Sequence, residues 1–285
     1  MTDTLTADCR AKVNLVLRVL ARESDGYHGI ETLFCRITLA DTVSVTRTDR
    51  EIALTVEGAD VGPAQENLAW RAADQVLAAT GHRFGVAMHL VKRIPAGGGL
   101  GGGSSDAAQV LHLVNRLAGD AVPRAELMQM ASRLGADVPF LASDAPLALA
   151  WGHGQRLLRL PPLPPLPMLL LIPGVAVPTA HAYQWVDEIR SSAGRRGAVT
   201  LDTEVLSNWS DIARLGGNDF EAAVFGRFPA IRSGFEAMVN TRPLLCRMSG
   251  TGSTLFAVYR NARDRDDAIR QLGAKHGQVI ATEAG

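Results

Sequence analysis

The sequence has little of several features that mark particular classes of protein. It contains only three cysteines in 285 residues, and 29 Lys and Arg residues are balanced by 29 Asp and Glu residues. Three scattered cysteines favour a reducing cytoplasm over a disulfide framework or a structural zinc site. A formal net charge of zero provides no overall field to attract nucleic acid or an anionic membrane. Disulfide-rich and nucleic-acid-binding classes are therefore disfavoured.

Long apolar runs are also lacking. The longest apolar stretch, around Met168–Ile172, is broken by prolines and is too short to cross a bilayer. Residues Met1–Asp8 are polar and contain no apolar core of a signal peptide. Because 47% of the residues are hydrophobic and 20% are charged, the composition is typical of a globular protein. We expect a cytoplasmic chain of two domains with no membrane partner.

Glycine, by contrast, is concentrated in residues 95–108. Six glycines there are followed by Ser104 and Ser105. The preceding segment Val86–Ile94 has the residues of a strand, and apolar residues recur at helical spacing from Ala107 onwards. A strand, a glycine-rich loop and a helix N-terminus in this order are typical of a phosphate site, because free N–H groups and the helix dipole converge there. A plain connecting loop with a serine N-cap is the alternative.

The residues within and after the glycine-rich stretch exclude some types of phosphate loop. A Walker A loop needs Gly-Lys followed by Ser or Thr, and the sequence has no such tripeptide. Gly97, Gly99 and Gly102 do satisfy the dinucleotide pattern G-x-G-x-x-G. However, the next periodic segment, Arg124–Leu134, is a predicted helix, where a dinucleotide-binding unit requires a parallel strand. The pattern therefore disfavours a dinucleotide-binding oxidoreductase.

The first predicted strand, Cys9–Leu20, carries a second candidate site. Its apolar residues alternate, so Lys12, Asn14 and Arg18 share the opposite face. A lysine and an asparagine side by side can form part of a binding site. A solvated outer face is the alternative, and the pattern alone leaves both open.

Periodicity predicts the remaining elements. The predicted strands are Thr32–Ile37, Thr42–Thr46, Ile52–Glu57, Leu147–Ala150, Arg156–Leu160, Met168–Ile172 and Val279–Ala281, with a hairpin at Leu244–Tyr259. The predicted helices are Asn67–Thr80, Arg124–Leu134, Thr179–Ile189, Asp219–Phe225, Ala230–Val239 and Arg265–Lys275. Asp-Gly predicts a turn at residues 23–26, and the polar segment 190–201 is predicted to be a mobile loop.

Two further features concern domain organisation and a carboxylate. Residues 161–167 hold five of the 14 prolines, which predicts a stiff linker between domains 1–160 and 161–285. The order of elements after this linker is typical of an α+β layer.

Asp137, before Val138 and Pro139, is predicted to cap a short helix, which would hold its carboxylate still.

The glycine-rich stretch resembles the phosphate loop of the GHMP kinases, P-x-x-x-G-L-G-S-S-A-A. Three further blocks extend the resemblance over most of the chain: residues 11–15 with 25–28, residues 134–139, and the glycine-rich turn 249–253. The Asp-Gly-Tyr-His and Gly-Ala-Asp-Val-Pro pieces resemble one branch of that family. The resemblance implies an α+β protein of two domains, an N-terminal ribosomal-protein-like α/β domain that binds ATP and a C-terminal ferredoxin-like domain.

The same resemblance implies an activity and its site. The branch phosphorylates a hydroxyl of a small molecule that carries a cytidine diphosphate group, using ATP with its Mg²⁺ and no metal ligands of its own. Asp137 would be the catalytic base and Lys12 its partner, an arrangement that suits phosphoryl transfer. The implied ATP-binding residues are Pro95, Ala96, Gly97, Gly98, Gly99, Leu100, Gly101, Gly102, Gly103, Ser104, Ser105, Asn67 and Lys92. The implied substrate-binding residues are Asn14, Tyr27, His28, Asp137, Thr179 and Tyr183, with cytosine stacked between the two tyrosines.

Two positions depart from the branch, and three other functions stay open at this stage. Asp106 replaces the more usual asparagine, and its charge would need to face Mg²⁺ or solvent. Trp151 replaces a common acidic residue. The alternatives are another small-molecule GHMP kinase, the dinucleotide-binding oxidoreductase, and an RNA-binding module, which the absence of a basic stripe disfavours. A monomer or weak dimer is expected.

Overall fold

The computed structural model describes residues 3–24, 26–60, 62–192 and 202–285. The predicted turn residue Asp25 and residues 193–201 of the predicted mobile loop lie outside this part of the chain. The described chain forms two compact units that interleave in sequence. Unit 1 contains residues 1–12, 39–96 and 101–145, and unit 2 contains residues 13–38, 97–100 and 146–285. The predicted domain boundary at residue 160 stays a prediction.

Two long strands, β1 (Thr4–Arg22) and β2 (His28–Thr48), contribute residues to both units and pair with each other. Two shorter strands that the sequence predicts at 32–37 and 42–46 are therefore parts of one continuous strand. In β1, every residue from Ala11 to Leu17 is buried. The solvated-face interpretation of Lys12 and Asn14 is thus wrong.

In unit 1, the second half of β2 continues the sheet through β4 (Gly85–Val91) to β3 (Ile52–Glu57). β4 is antiparallel to β2, with Thr42 opposite Val91, and parallel to β3, with Ile52 opposite Val86. β4 ends before the predicted Ile94, because the N–H groups of Arg93 and Ile94 donate to the carboxylate of Asp41.

The helices of unit 1 pack their apolar faces together. They are α1 (Leu68–Ala79), α2 (Gly102–Leu117), α3 (Arg124–Leu134) and α4 (Val138–Ala142). α1 packs on α2, and α2 packs on α4. Buried alanines and valines along α1 and α2 allow the close approach that brings the first turn of α2 near α4. The predicted helix at 67–80 is confirmed, with Asn67 as its N-cap.

In unit 2, the first half of β2 is antiparallel to β5 (Leu147–Gly152), which is antiparallel to β6 (Arg156–Leu160). A separate antiparallel sheet has the order β10–β7–β9–β8, from Gln278–Glu283, Pro167–Ile172, Leu255–Val258 and Leu245–Met248. The helices of this unit are α5 (Thr179–Ser192), α6 (Trp209–Leu215), α7 (Glu221–Arg227), α8 (Pro229–Asn240) and α9 (Ala262–Leu272). This strand order confirms the expected ferredoxin-like layer.

Most predicted elements are confirmed to within a few residues, but α6 is missed because a helix of only seven residues gives little periodic signal. α5 runs through Ser192, so the first three residues of the predicted mobile loop are helical. The cysteines Cys9, Cys35 and Cys246 are buried and unbridged. Within the described residues, no helix is both long and apolar enough to span a membrane.

Candidate active site

In unit 1, the glycine-rich stretch ends at the first turn of α2. Gly101 is the N-cap and adopts a left-handed backbone, with φ of 71°. A Cβ on Gly101 would lie 3.2 Å from two carbons of the Lys12 side chain and 3.3 Å from Leu141. The first N–H groups of α2 have no partner within the helix, as at any helix start, and they form the positive end of the helix dipole. This geometry suits a phosphate group.

The two serines of this turn have different environments. The hydroxyl of Ser105 is buried and donates to the carbonyl oxygen of Arg10 at 2.7 Å. Ser104 is half-buried, and its hydroxyl has no hydrogen-bond partner among the described residues. Ser105 therefore ties α2 to β1, whereas Ser104 is available to a ligand.

The glycines that belong to unit 2 contact the second glycine-rich turn. Gly99 has a φ of 80°, and a Cβ there would lie 2.2 Å from the carbonyl oxygen of Ser249. Ser249 Oγ donates to the Gly99 carbonyl at 2.8 Å, and Thr254 N donates to the Gly98 carbonyl at 3.2 Å. The absence of a side chain at Gly99 thus serves close backbone packing rather than space for phosphate.

The second turn is itself held by two buried asparagines. Asn218 Nδ2 donates at 2.7 Å to the carbonyl oxygens of both Met248 and Gly250. Asn14 Oδ1 accepts from Gly250 N at 3.0 Å, and its Nδ2 donates to Thr32 Oγ1 at 2.8 Å. Asn14, which the resemblance assigns to the substrate, therefore also anchors this turn.

In unit 1, Lys12 and Asp137 form an ion pair, with 3.2 Å between Lys12 Nζ and Asp137 Oδ2. The lysine side chain is 3% exposed and the aspartate side chain 30%. Asp137 occupies the N-cap position of α4, but its side chain makes no capping hydrogen bond. The predicted capping contact is therefore wrong: the carboxylate is directed to Lys12 and stays accessible to a small molecule.

Lys92 occupies a buried cluster with two carboxylates at the end of β4. Its ammonium donates to Asp106 Oδ2 at 2.6 Å and also to Asp41 Oδ2. Asp41 and Asp106 are 0% and 2% exposed. This cluster joins the strand end to α2 and lies beside the phosphate loop, since a Cβ on Gly102 would be 3.4 Å from Lys92 Nζ. The sequence does not single out Asp41, because its partner Lys92 lies 51 residues further along the chain.

The charge state of this cluster follows from burial. Burial raises the pKa of the Asp106 carboxyl to about 7, Lys92 opposes that shift, and the charge of Asp41 reinforces it. Burial disfavours the ammonium of Lys92, but Asp106 and Asp41 together raise the pKa of Lys92 above its ordinary value. Asp41 accepts two backbone hydrogen bonds, whereas Asp106 Oδ1 has no partner within the described residues. Because Asp106 is 2% exposed, the expectation that its charge faces solvent is wrong.

In unit 2, His28 lies against Tyr183. Their rings are stacked, with centroids 5.3 Å apart and an interplanar angle of 17°. His28 Nε2 also lies 2.9 Å from Asp187 Oδ1. Tyr27 is 70% exposed, and its ring lies 5.7 Å from that of His153. Asp187 is not predicted from the sequence, although its place four residues after Tyr183 puts both on one helix face.

The other predicted site residues have modest contacts. Asn67 Oδ1 accepts from Ala69 N at 2.9 Å, which leaves its amide group for a ligand. Thr179 Oγ1 lies 3.2 Å from Thr251 Oγ1. Ala96 and Gly97 are exposed, and Leu100 is buried. Among the residues that the structure describes, no group of three or more His, Cys, Asp or Glu side chains could hold a metal ion.

Known families and proteins resemble this chain over almost its whole length. The family described as GHMP kinases N terminal domain matches residues 67–145, and GHMP kinases C terminal matches residues 199–278. A 4-diphosphocytidyl-2-C-methyl-D-erythritol kinase of a Geobacter species is 38% identical over 266 residues, 93% of this chain and 91% of the relative. That of Pelobacter propionicus is 36% identical over 281 residues, 98% of each chain.

Solved structures agree with these sequence matches. The crystal structure of a 4-(cytidine 5'-diphospho)-2C-methyl-D-erythritol kinase superposes with a TM-score of 0.84 at 36% identity, covering 99% of this chain and 100% of that one. Homoserine kinase from Cytophaga hutchinsonii superposes with a TM-score of 0.68 at 18% identity, covering 100% of this chain and 95% of that one, and thus shares the fold alone.

Proposed function

The chain belongs to the 4-diphosphocytidyl-2-C-methyl-D-erythritol kinases of the GHMP kinase family, and on that premise we propose how its residues carry out phosphoryl transfer. The reaction moves the γ-phosphoryl group of ATP to the 2-hydroxyl of 4-diphosphocytidyl-2-C-methyl-D-erythritol, in the non-mevalonate route to isopentenyl diphosphate. The dinucleotide and RNA-binding interpretations have no counterpart among these relatives.

The observation that carries the proposal is the pair of Lys12 and Asp137. A carboxylate that is 30% exposed and paired with a buried ammonium is fixed in place yet reachable by a hydroxyl group. Asp137 would accept the hydroxyl proton as the hydroxyl oxygen bonds to the γ-phosphorus and the bond to the β,γ-bridging oxygen breaks. Lys12 would stabilise the negative charge that develops on the transferred group.

The ATP phosphates would be held at the start of α2. The N–H groups of Gly102, Gly103 and Ser104 point away from the helix and suit the phosphate oxygens. Mg²⁺ carried by ATP fits the Ser104 hydroxyl, an oxygen donor with no hydrogen-bond partner among the described residues. When bound, the ion would neutralise charge on the phosphates.

Lys92 would act on the nucleotide indirectly. Its ammonium is already shared between Asp41 and Asp106, so its contribution is to fix the strand end and α2 beside the phosphates. Asn67 would contact the adenosine side through its free amide group.

The cytidine group would bind in unit 2. The exposed ring of Tyr27 offers a stacking surface, and the buried His28 ring on Tyr183 offers a nitrogen to the base edge. Thr179 and Asn14 complete the proposed substrate-binding residues. Buried, unbridged cysteines support a cytoplasmic location.

The test is a direct assay of the purified chain. We expect a new phosphomonoester signal in ³¹P NMR when ATP, Mg²⁺ and 4-diphosphocytidyl-2-C-methyl-D-erythritol are supplied together. Homoserine and mevalonate serve as competing acceptors. Efficient phosphorylation of either one, without phosphorylation of the cytidine compound, would refute the proposed substrate.

A further inference from the structure

Asp187 lies on α5, and its carboxylate contacts the edge of the His28 imidazole ring at Nε2. The distance from Asp187 Oδ1 to His28 Nε2 is 2.9 Å. The His28 side chain is 8% exposed, whereas that of Asp187 is 46% exposed. Because an ionised carboxylate can only accept hydrogen bonds, the proton of this contact lies on His28 Nε2.

A second contact from the same helix fixes the same ring. Tyr183, four residues before Asp187, stacks on His28 with an interplanar angle of 17°. Tyr183 is braced in turn by the ring of Phe220, at 4.9 Å and nearly perpendicular. Stacking sets the plane of the imidazole, and the hydrogen bond to Asp187 sets its rotation within that plane. The ring therefore has one orientation before a ligand arrives.

We propose that Asp187 is a positioning residue that makes the His28 site select cytosine over uracil. The inference rests on the proposed function, which gives the substrate a cytidine group. In the neutral form of the imidazole, a proton on Nε2 directed to Asp187 leaves Nδ1 as a hydrogen-bond acceptor. Cytosine has an amino donor at its C4 position, whereas uracil has a carbonyl acceptor there. Two facing acceptors repel, so this tautomer favours cytosine and disfavours uracil.

Without Asp187, no carboxylate holds the ring proton of His28 on Nε2. The imidazole can then carry its proton on Nδ1, where it donates to the uracil carbonyl as readily as the other tautomer accepts from the cytosine amino group. Selectivity should therefore fall even though the ring remains stacked on Tyr183. A hydrogen bond to a charged group, such as that from His28 to Asp187, changes an equilibrium constant by about 10- to 100-fold.

The test compares Asp187→Ala with wild type, using CDP and UDP as probes. Calorimetry gives the dissociation constant of each nucleotide, and steady-state kinetics give KM and kcat for the cytidine substrate and KM for ATP. We expect the preference for CDP over UDP to fall about tenfold or more. KM for the cytidine substrate should rise, with kcat and KM for ATP nearly unchanged. Glu188→Ala is the matched control, because Glu188 is the next residue of α5 and pairs with Arg227 instead.

A double variant separates positioning from a direct contact. In the His28→Ala background, Asp187→Ala should change the CDP to UDP preference no further, since the carboxylate acts through the imidazole. An unchanged preference in the single variant, or an equal loss in both backgrounds, would overturn the inference. Phosphorylation of the cytidine substrate by the wild-type chain is measured separately, so failure of the proposed function is distinguishable from failure of this inference.

Discussion

Asp137 stands at the N-cap of α4, yet its carboxylate lies 3.2 Å from the ammonium of Lys12 and makes no capping hydrogen bond. A carboxylate at a helix start normally accepts from the backbone N–H groups of the first turn. Here the charge is directed to a buried lysine on β1 instead. The carboxylate thus has no capping role, so the structural effect of a substitution at Asp137 comes through its pair with Lys12.

Asp137→Asn should remove the proton acceptor while keeping the side-chain shape. We expect kcat to fall roughly 10²- to 10⁴-fold, with ATP and substrate binding little changed. The melting temperature should fall only modestly, because no capping bond is lost and the Asn side-chain oxygen can still accept a hydrogen bond from Lys12. Glu126→Gln, an exposed acid in the first turn of α3, is the control. A normal kcat in Asp137→Asn would remove this residue from the mechanism.

Lys12→Met should also lower kcat, because the transferred phosphoryl group loses a positive charge. The Lys12→Met, Asp137→Asn double variant should lose less than the product of the two single losses, since the pair acts as a unit. Kinetics on all four proteins give the coupling directly. Strictly multiplicative losses would show that the two residues act independently.

Gly103→Val should weaken ATP binding without unfolding the chain. A Cβ on Gly103 meets only Leu68, at 4.0 Å, so the added side chain conflicts with a bound phosphate rather than with the protein. Gly226→Val in α7, with nothing within 4 Å, is the matched control. Gly99→Val should instead destabilise the fold, because its Cβ would clash with Ser249. Calorimetry with ATP and thermal melts measure both effects; unchanged ATP affinity in folded Gly103→Val would favour a plain connecting loop.

Asp106→Asn should gain stability relative to wild type as the pH rises. Burial raises the pKa of Asp106 from its ordinary 3.8 to about 7. Between these values the folded chain holds a proton that the unfolded chain has released, so the free energy of unfolding of the wild type falls as pH rises. The variant has no titrating group at this position, so its free energy of unfolding does not fall in this way. The difference in free energy of unfolding between variant and wild type should therefore grow by more than about 1 kcal/mol between pH 5 and pH 8, since one pKa unit corresponds to about 1.4 kcal/mol.

Denaturant unfolding at several pH values measures that difference. Asp120→Asn, at an exposed position, is the control for removal of a carboxylate. Parallel curves for Asp106→Asn and wild type would mean that Asp106 does not titrate in this range.

Tyr27→Ala and His28→Ala should each raise KM for the cytidine substrate about tenfold or more, because the first loses base stacking, worth roughly 1–3 kcal/mol, and the second loses the hydrogen bond to the base edge. KM for ATP should change little. Tyr27 is 70% exposed, so its variant should keep its melting temperature, whereas loss of the buried His28 should lower it. Leu158→Ala, at an exposed apolar position in unit 2, is the control for surface change. An unaltered substrate KM in Tyr27→Ala would place the base elsewhere.

The sequence predicts best those features whose cause is local. Alternation over Cys9–Leu20 predicts β1, and the step from strand to glycines to helix predicts the start of α2. The resemblance places Lys12 with Asp137, and the structure brings them together.

Features that depend on distant partners are harder to predict. Asp187 contacts a histidine 159 residues away, and nothing next to it in sequence marks the contact. The length of β2 is missed because the charged Asp41 interrupts its pattern, although Asp41 is buried and accepts a hydrogen bond from Lys92. Asp137 looks like a cap because capping is the common local use of such a residue, and here a long-range ion pair replaces it.

The alternation of β1 has a consequence for insertions and deletions. Lys12 and Asn14 are two residues apart on one strand, so both side chains leave the same face. Lys12 reaches Asp137 in unit 1, and Asn14 holds Gly250 in unit 2. One residue inserted between them would turn one side chain to the opposite face, and both contacts could not then form. We therefore expect this stretch to accept apolar replacements at Val13 far more readily than any change of length.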